Sequence, residues 1–135
     1  MVGETDLDKL LNTMSPQLIS GDYVFCCVQG SCNLDVSSLS PLATFNEAEG
    51  LTLVLRKETA VANNLTFESV FKGITLTVHS SLDAVGLTAA VASKLAFKGI
   101  SANVIAAYYH DHIFVQKEKA ALALEALNEF AIEKR

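Results

Sequence analysis

Two stretches sixty residues apart repeat one pattern. Leu53-Val54-Leu55-Arg56-Lys57-Glu58-Thr59-Ala60 and Ile113-Phe114-Val115-Gln116-Lys117-Glu118-Lys119-Ala120 each run three large apolar residues, one polar residue, then Lys-Glu-x-Ala. The apolar triplet suits a buried strand, and the charged tetrad suits the opening of a helix. Each copy is preceded at some distance by another strand pattern. YVFCCV (residues 23–28) is apolar on both faces, as an interior strand requires; in GITLTV (73–78), Ile74, Leu76 and Val78 alternate with Thr75, Thr77 and His79. The repeat therefore predicts two related lobes. The chain has 135 residues, and a lobe below about 70–80 residues seldom holds a core without disulfides or metals. The lobes are expected to share one antiparallel sheet.

The remaining pattern fills in the lobes. Leu7, Leu10, Leu11 and Met14 recur at helical spacing, with Thr5 placed as N-cap and Ser15-Pro16 as the stop. Residues 30–41 hold Gly30, four serines and Pro41, which favours an irregular segment. Short strands are expected at 43–45 and 52–56, and a helix from Lys57. The clearest helix runs from Ala84 to Lys98, with Leu87, Ala90, Val91 and Leu95 on one stripe and Gly99-Ile100 in the order of a C′ glycine with its hydrophobic contact. ANVIAAYY (102–109) and HIFV (112–115) read as strands joined near His110-Asp111, and a last helix spans 117–131.

This gives a short N-terminal helix (1–21), a reduced first lobe (22–68) and a second lobe (69–135). The second lobe reads strand, helix, strand, strand, helix, an α+β, ferredoxin-like βαββαβ unit without its last strand. YVFCCV is the expected donor of that strand. The first lobe is reduced because serine-rich coil stands where the second has its long helix.

Composition excludes several functions. Half the residues are hydrophobic and 19% are charged, the reverse of a disordered chain. No apolar run reaches the roughly 18 residues of a membrane span, and Glu4, Asp6 and Asp8 give the first residues the wrong chemistry for a secretory signal; a cytoplasmic protein without membrane association is expected. The net charge is −5, and residues 1–50 carry seven acids against Lys9 alone. With no basic stripe to displace counterions, nucleic acid is not an expected partner. Cys26 and Cys27 point to opposite faces of one strand and Cys32 adds no zinc-knuckle spacing, so all three read as small hydrophobes. His110 and His112 flank a turn, with His79 the nearest further histidine and no Glu or Cys at metal spacing. No nucleophile elbow, glycine-rich phosphate loop or paired carboxylates are present. Neither an enzyme, a metal site nor a cofactor is expected.

One constellation could bind a ligand. The opening of the 84–98 helix presents unpaired N–H groups and the positive end of the helix dipole, suited to a carboxylate. Gly86 leaves room for close approach there, and Thr88 adds a hydroxyl. The same residues have a plainer use, in which Ser80 and Asp83 cap the helix and Gly86 lets it pack. Asp111 could hold an ammonium group, or serve a turn. Tyr108 and Tyr109 alternate along their strand, so one of them can face the site. Asn103 interrupts an apolar strand and could read a ligand or satisfy a neighbouring backbone group.

These residues resemble the ACT domain, a small amino-acid-binding regulatory module. Asp83-Ala84-Val85-Gly86 matches the Asp-x-x-Gly of that family, and Gly99-Ile100-Ser101 matches its Gly-x-Asn with Ser101 in place of the asparagine. Residues 99–115 are similar to the ACT pairs of the cytosolic arginine sensor, where a Thr-Asp-Tyr hairpin takes the place of His110-Asp111-His112. The whole chain resembles stand-alone bacterial ACT-domain proteins of unassigned function, well over residues 70–131 and loosely over 22–65. The resemblance implies a free amino acid as ligand, held by Asp83, Val85, Gly86, Leu87, Thr88, Ser101, Asn103, Tyr108 and Asp111. It also implies a homodimer and a regulated partner protein. The competing expectation is a dimerisation module with no ligand.

Overall fold

The computed structural model describes residues 6–30, 33–77 and 85–133, with side chains to residue 130. In chain order the elements are α1 (Leu7–Thr13), β1 (Pro16–Leu18), β2 (Tyr23–Val28), a 3-10 turn (Val36–Leu39), β3 (Ala43–Glu47), β4 (Gly50–Arg56), α2 (Lys57–Ala62), β5 (Phe71–Leu76), α3 (Leu87–Phe97), β6 (Asn103–Ala106), β7 (Asp111–Gln116), a second 3-10 turn (Lys117–Lys119) and α4 (Ala120–Glu133). They form two compact units. Residues 21–71 make the first, and residues 1–20 together with 72–135 make the second.

In the first unit the strands lie in the order β3-β4-β2, all antiparallel, with Tyr23 meeting Phe71 beyond β2. Val24, Cys26 and Val28 of β2 and Leu53 and Leu55 of β4 point to one face, where they pack with Leu39 and Ala60. The alternation of the strand leaves Cys27 exposed while Cys26 is buried, where desolvation pushes its thiol pKa up. The segment expected to be irregular is so for a local reason. Ser38 donates its hydroxyl to the Asp35 carbonyl (2.7 Å) and Ser37 donates to the Asp35 carboxylate (2.8 Å), bonds that compete with helix formation and leave one 3-10 turn.

The second unit repeats that strand order as β6-β7-β5, with β1 bordering β5 on its other side. Ile74, Leu76, Ile113 and Val115 form the floor of its core, covered by Leu10 and Leu11 of α1 with Met14 just after it, Leu87, Val91 and Leu95 of α3, and Ala123, Ala126, Leu127 and Phe130 of α4. The C-terminus of α3 closes as expected. Gly99 takes a φ of 77°, its N–H reaches Ala96 O (2.9 Å), and the Ile100 N–H reaches Leu95 O (2.9 Å). The repeat is structural as well, since β4 runs directly into α2 and β7 into the turn that opens α4, with Ala60 and Ala120 both buried.

Three expectations are corrected. The N-cap of α1 is Asp6, whose carboxylate accepts from Lys9 N (3.2 Å); Thr5 lies outside the described residues. Ser15-Pro16 does more than stop a helix. Pro16 opens β1, an edge strand where its missing N–H is tolerated, and the strand pairs Pro16, Gln17 and Leu18 with Leu76, Thr75 and Ile74. The ladder extends to Ile19 N–Gly73 O (2.8 Å) and Thr77 N–Ser15 O (3.0 Å). The segment beside β5 that completes the ferredoxin-like set of strands thus comes from residues 16–18, while YVFCCV makes its six-residue ladder with β4. Finally, β6 ends at Ala106. The hairpin turn is Ala107–His110, closed by Ala107 N to His110 O (3.1 Å), and Asp111 already sits in β7 opposite Ala106.

Candidate functional site

The candidate site lies at one end of the second unit. There β5 finishes and β7 begins; the further expected element is the start of α3 at Gly86. The Thr75 hydroxyl and His112 Nδ1 stand 2.9 Å apart, tying the last turns of β5 to the first residues of β7. Beside them the Thr77 hydroxyl donates to the Ser15 carbonyl. Asp83, and with it Ser80 and His79, lies outside the described residues.

Gly86 is the N-cap of α3 with φ 100° and ψ −17°, a conformation that L residues seldom adopt, and it provides no side-chain cap. The first helical bond is Ala90 N to Gly86 O (2.9 Å), so the N–H groups of the first turn belong to the set a helix leaves unpaired within itself. Val85 is 84% exposed and Thr88 is exposed, whereas Leu87 is buried in the core and offers the site only its main chain. The space in front of Gly86 is partly filled. A Cβ added there would stand 3.1 Å from Leu7 Cδ2, so the glycine makes room for α1.

Asp111 is half-buried. Desolvation pushes its carboxyl pKa above the usual aspartate range, against the pull of His112 and His110. His112 moves the other way. Burial and the charge of His110 depress its pKa, with Asp111 as a weaker opposing influence. The three residues form a partly desolvated row whose one carboxylate lacks an adjacent Lys or Arg in the sequence. Among the described residues, no three His, Cys, Asp or Glu side chains gather as a metal-binding group.

The other expected residues spread out. Asn103 donates its amide to Phe114 O across the hairpin (3.1 Å), the backbone-satisfying use of a polar residue in an apolar strand. Ser101 is exposed between α3 and β6. Tyr108 and Tyr109 do not alternate on a strand; they occupy the turn, largely exposed, with their rings edge to face at 5.0 Å.

Sequence reasoning missed a concavity in the first unit. A cleft of about 520 Å³ opens between the end of β2 and the β3–β4 hairpin, lined among others by Leu34, Val36, Leu51, Glu47 and Glu49. The sixty-residue offset aligns its hairpin with the turn before Asp111. That offset was the signal available in the sequence.

Comparisons with known proteins agree with this architecture. Two family models, each described as an ACT domain, match residues 2–72 and 68–129. A Vibrio cholerae protein of unknown function is 64% identical, with 93% of this chain and 95% of that one covered and a TM-score of 0.84. An Agrobacterium tumefaciens protein shares the fold at 14% identity, covering 87% of this chain and 89% of that one (TM-score 0.72). So does the ligand-free regulatory subunit of aspartate kinase from Thermus thermophilus, at 10% identity with 88% and 97% covered (TM-score 0.61). The sequence matches no curated protein, and no helix among the described residues is long and apolar enough to cross a membrane. With one ACT model on each half and a 64% identical relative over nearly its full length, the chain belongs to the ACT domain family, whose members are small regulatory modules.

Proposed function

We propose that this chain is a cytoplasmic regulatory module that binds a free amino acid at the end of the second unit. The reading is supported by Asp111, a partly desolvated carboxylate at the start of β7, and by a helix start at Gly86 that has no side chain of its own to cap the first turn of α3. A zwitterion needs both. The N–H groups of the first turn of α3 suit a carboxylate, and Asp111 suits an ammonium group, whose arrival would relieve the cost of keeping that carboxylate ionised out of water. Coupling to a partner requires the ligand to prefer one arrangement of the protein over another.

The test is a melting titration against the twenty amino acids. A ligand at 100 times its Kd adds about 2.7 kcal/mol of stability, and Asp111→Ala should abolish that gain. If no amino acid shifts the melting temperature at millimolar concentration, the proposal fails.

Two observations favour a second reading. Leu7 packs in front of Gly86 and the Asn103 amide is already engaged, as in a scaffold that assembles without a ligand. Under that reading Asp111→Ala leaves assembly and partner capture unchanged.

A further inference from the structure

The first unit carries a cleft that the amino-acid reading leaves unused. It holds about 520 Å³, within the roughly 300–1,000 Å³ of small-molecule sites. Among the described residues, β2 is followed by one 3-10 turn (Val36–Leu39) and no α-helix before β3. Leu34, Val36 and Leu51 pack against the core of this unit yet stay only half-buried, and all three line the cleft. Asn46 pairs directly with Leu51, so its side chain rises on the same face. Charge enters at the hairpin. The Thr52 hydroxyl donates to the Glu47 carboxylate, while Glu49 is exposed in the turn between β3 and β4. No Lys, Arg or His lines the cleft among the described residues, and residues 21–71 carry six carboxylates against Arg56 and Lys57.

We propose that this cleft binds a linear aliphatic amine that lacks a carboxylate. The alkyl chain lies along Leu34, Val36 and Leu51, and the ammonium group sits between the Asn46 amide oxygen and Glu49. Each part of the ligand answers a part of the wall. Half-buried apolar side chains gain from being covered. Charge of one sign beside apolar walls concentrates the field and draws in cations, and the amide oxygen accepts one of the three ammonium hydrogens. A free amino acid fits worse here. Its carboxylate would meet no cation among the lining residues and no helix N-terminus, only Glu49. A metal ion is also a poorer fit, because no three His, Cys, Asp or Glu side chains gather among the described residues. The inference concerns the first unit alone and stands apart from the reading of Asp111.

The experiment uses the full chain, isotope-labelled and titrated with n-pentylamine at neutral pH while its amide resonances are followed. Those of Val36, Asn46, Glu49 and Leu51 should shift saturably at millimolar amine. n-Pentanol keeps the chain and removes the charge, and ω-aminopentanoate keeps both and adds a carboxylate at the far end. Both should bind more weakly, and shortening the amine should cost about twofold or more per methylene removed. Glu49→Gln, a change at an exposed turn position, should weaken n-pentylamine by about two- to fivefold. Glu68→Gln removes the same charge away from the lining residues and should leave the affinity unchanged, as should Asp111→Ala in the second unit. The proposal is overturned by shifts that are absent or do not saturate, or by pentanol or aminopentanoate binding as tightly as the amine. Equal weakening by Glu49→Gln and Glu68→Gln, or loss of the response in Asp111→Ala, overturns it as well.

Discussion

Replacing Gly86 by alanine separates backbone strain from steric contact at the start of α3. The residue holds φ at 100°, and a left-handed conformation costs an L residue about 1–2 kcal/mol. The added methyl would meet Leu7 Cδ2 at 3.1 Å, a contact that the half-buried Leu7 side chain relieves by moving a few tenths of an ångström. Strain is therefore the larger cost. With an unfolding entropy near 2.1 cal/mol/K per residue over 135 residues, the loss corresponds to a melting temperature lower by about 4–7 °C. Scanning calorimetry of wild type, Gly86→Ala, Gly86→Asn and Leu7→Ala/Gly86→Ala reads it out. Asparagine visits the left-handed region more readily than alanine, so Gly86→Asn should lose less, and removing the Leu7 side chain should not restore the double variant. Full rescue by Leu7→Ala would show that crowding dominates, and an unperturbed Gly86→Ala would refute the strain argument outright. Because Gly86→Ala is expected to destabilise the ligand-free fold, a lost ligand response in that variant would not by itself identify a binding residue, whereas the exposed Thr88 can be changed without this cost.

Asp111 should behave as a site residue that the fold bears at a cost. Its folded-state pKa is raised, chiefly by desolvation, so its favourable contribution is present below the unfolded pKa and is lost as pH rises through the folded one. Asp111→Asn should raise the melting temperature of ligand-free protein at pH 7 by a degree or two, with the gain vanishing in acid; a variant less stable than wild type at pH 7 would contradict this. Glu129 has the opposite sign. The side-chain bond from Lys94 (3.0 Å), with Lys98 at 3.7 Å, lowers its pKa, so its contribution is present above the unfolded carboxylate pKa and is lost as pH falls through the folded value. Glu129→Gln should melt lower than wild type at pH 7 and together with it near pH 3. His112 has a depressed pKa from burial and from His110, so the protein should lose stability as pH falls through that value, and His112→Asn should flatten the dependence between pH 7 and 5. In the second-unit core, Leu95 is fully buried, and Leu95→Ala should cost about 2–5 kcal/mol in urea unfolding.

The sequence by itself determined the elements that carry their own period or punctuation. The alternation of residues 73–76, the leucine spacing of α1 and the Gly99-Ile100 stop of α3 depend on neighbours a few residues away, and the sixty-residue echo of strand into Lys-Glu-x-Ala needed no contacts to be seen. Serine at residues 37 and 38 announced a broken helix because the competing bonds are local. Tertiary structure alone decided the rest. Pro16–Leu18 is too short to show a period, and becomes a strand only because the edge of β5 is there to pair with it. Gly86 reads from spacing as room for a ligand, yet its conformation and the position of Leu7, seventy-nine residues earlier in the chain, decide how much room remains. The desolvation of Asp111 and its company with His110 and His112 arise because a strand start is half-covered by the fold around it. Burial of that kind is summed over distant segments and leaves no trace in the letters of the turn.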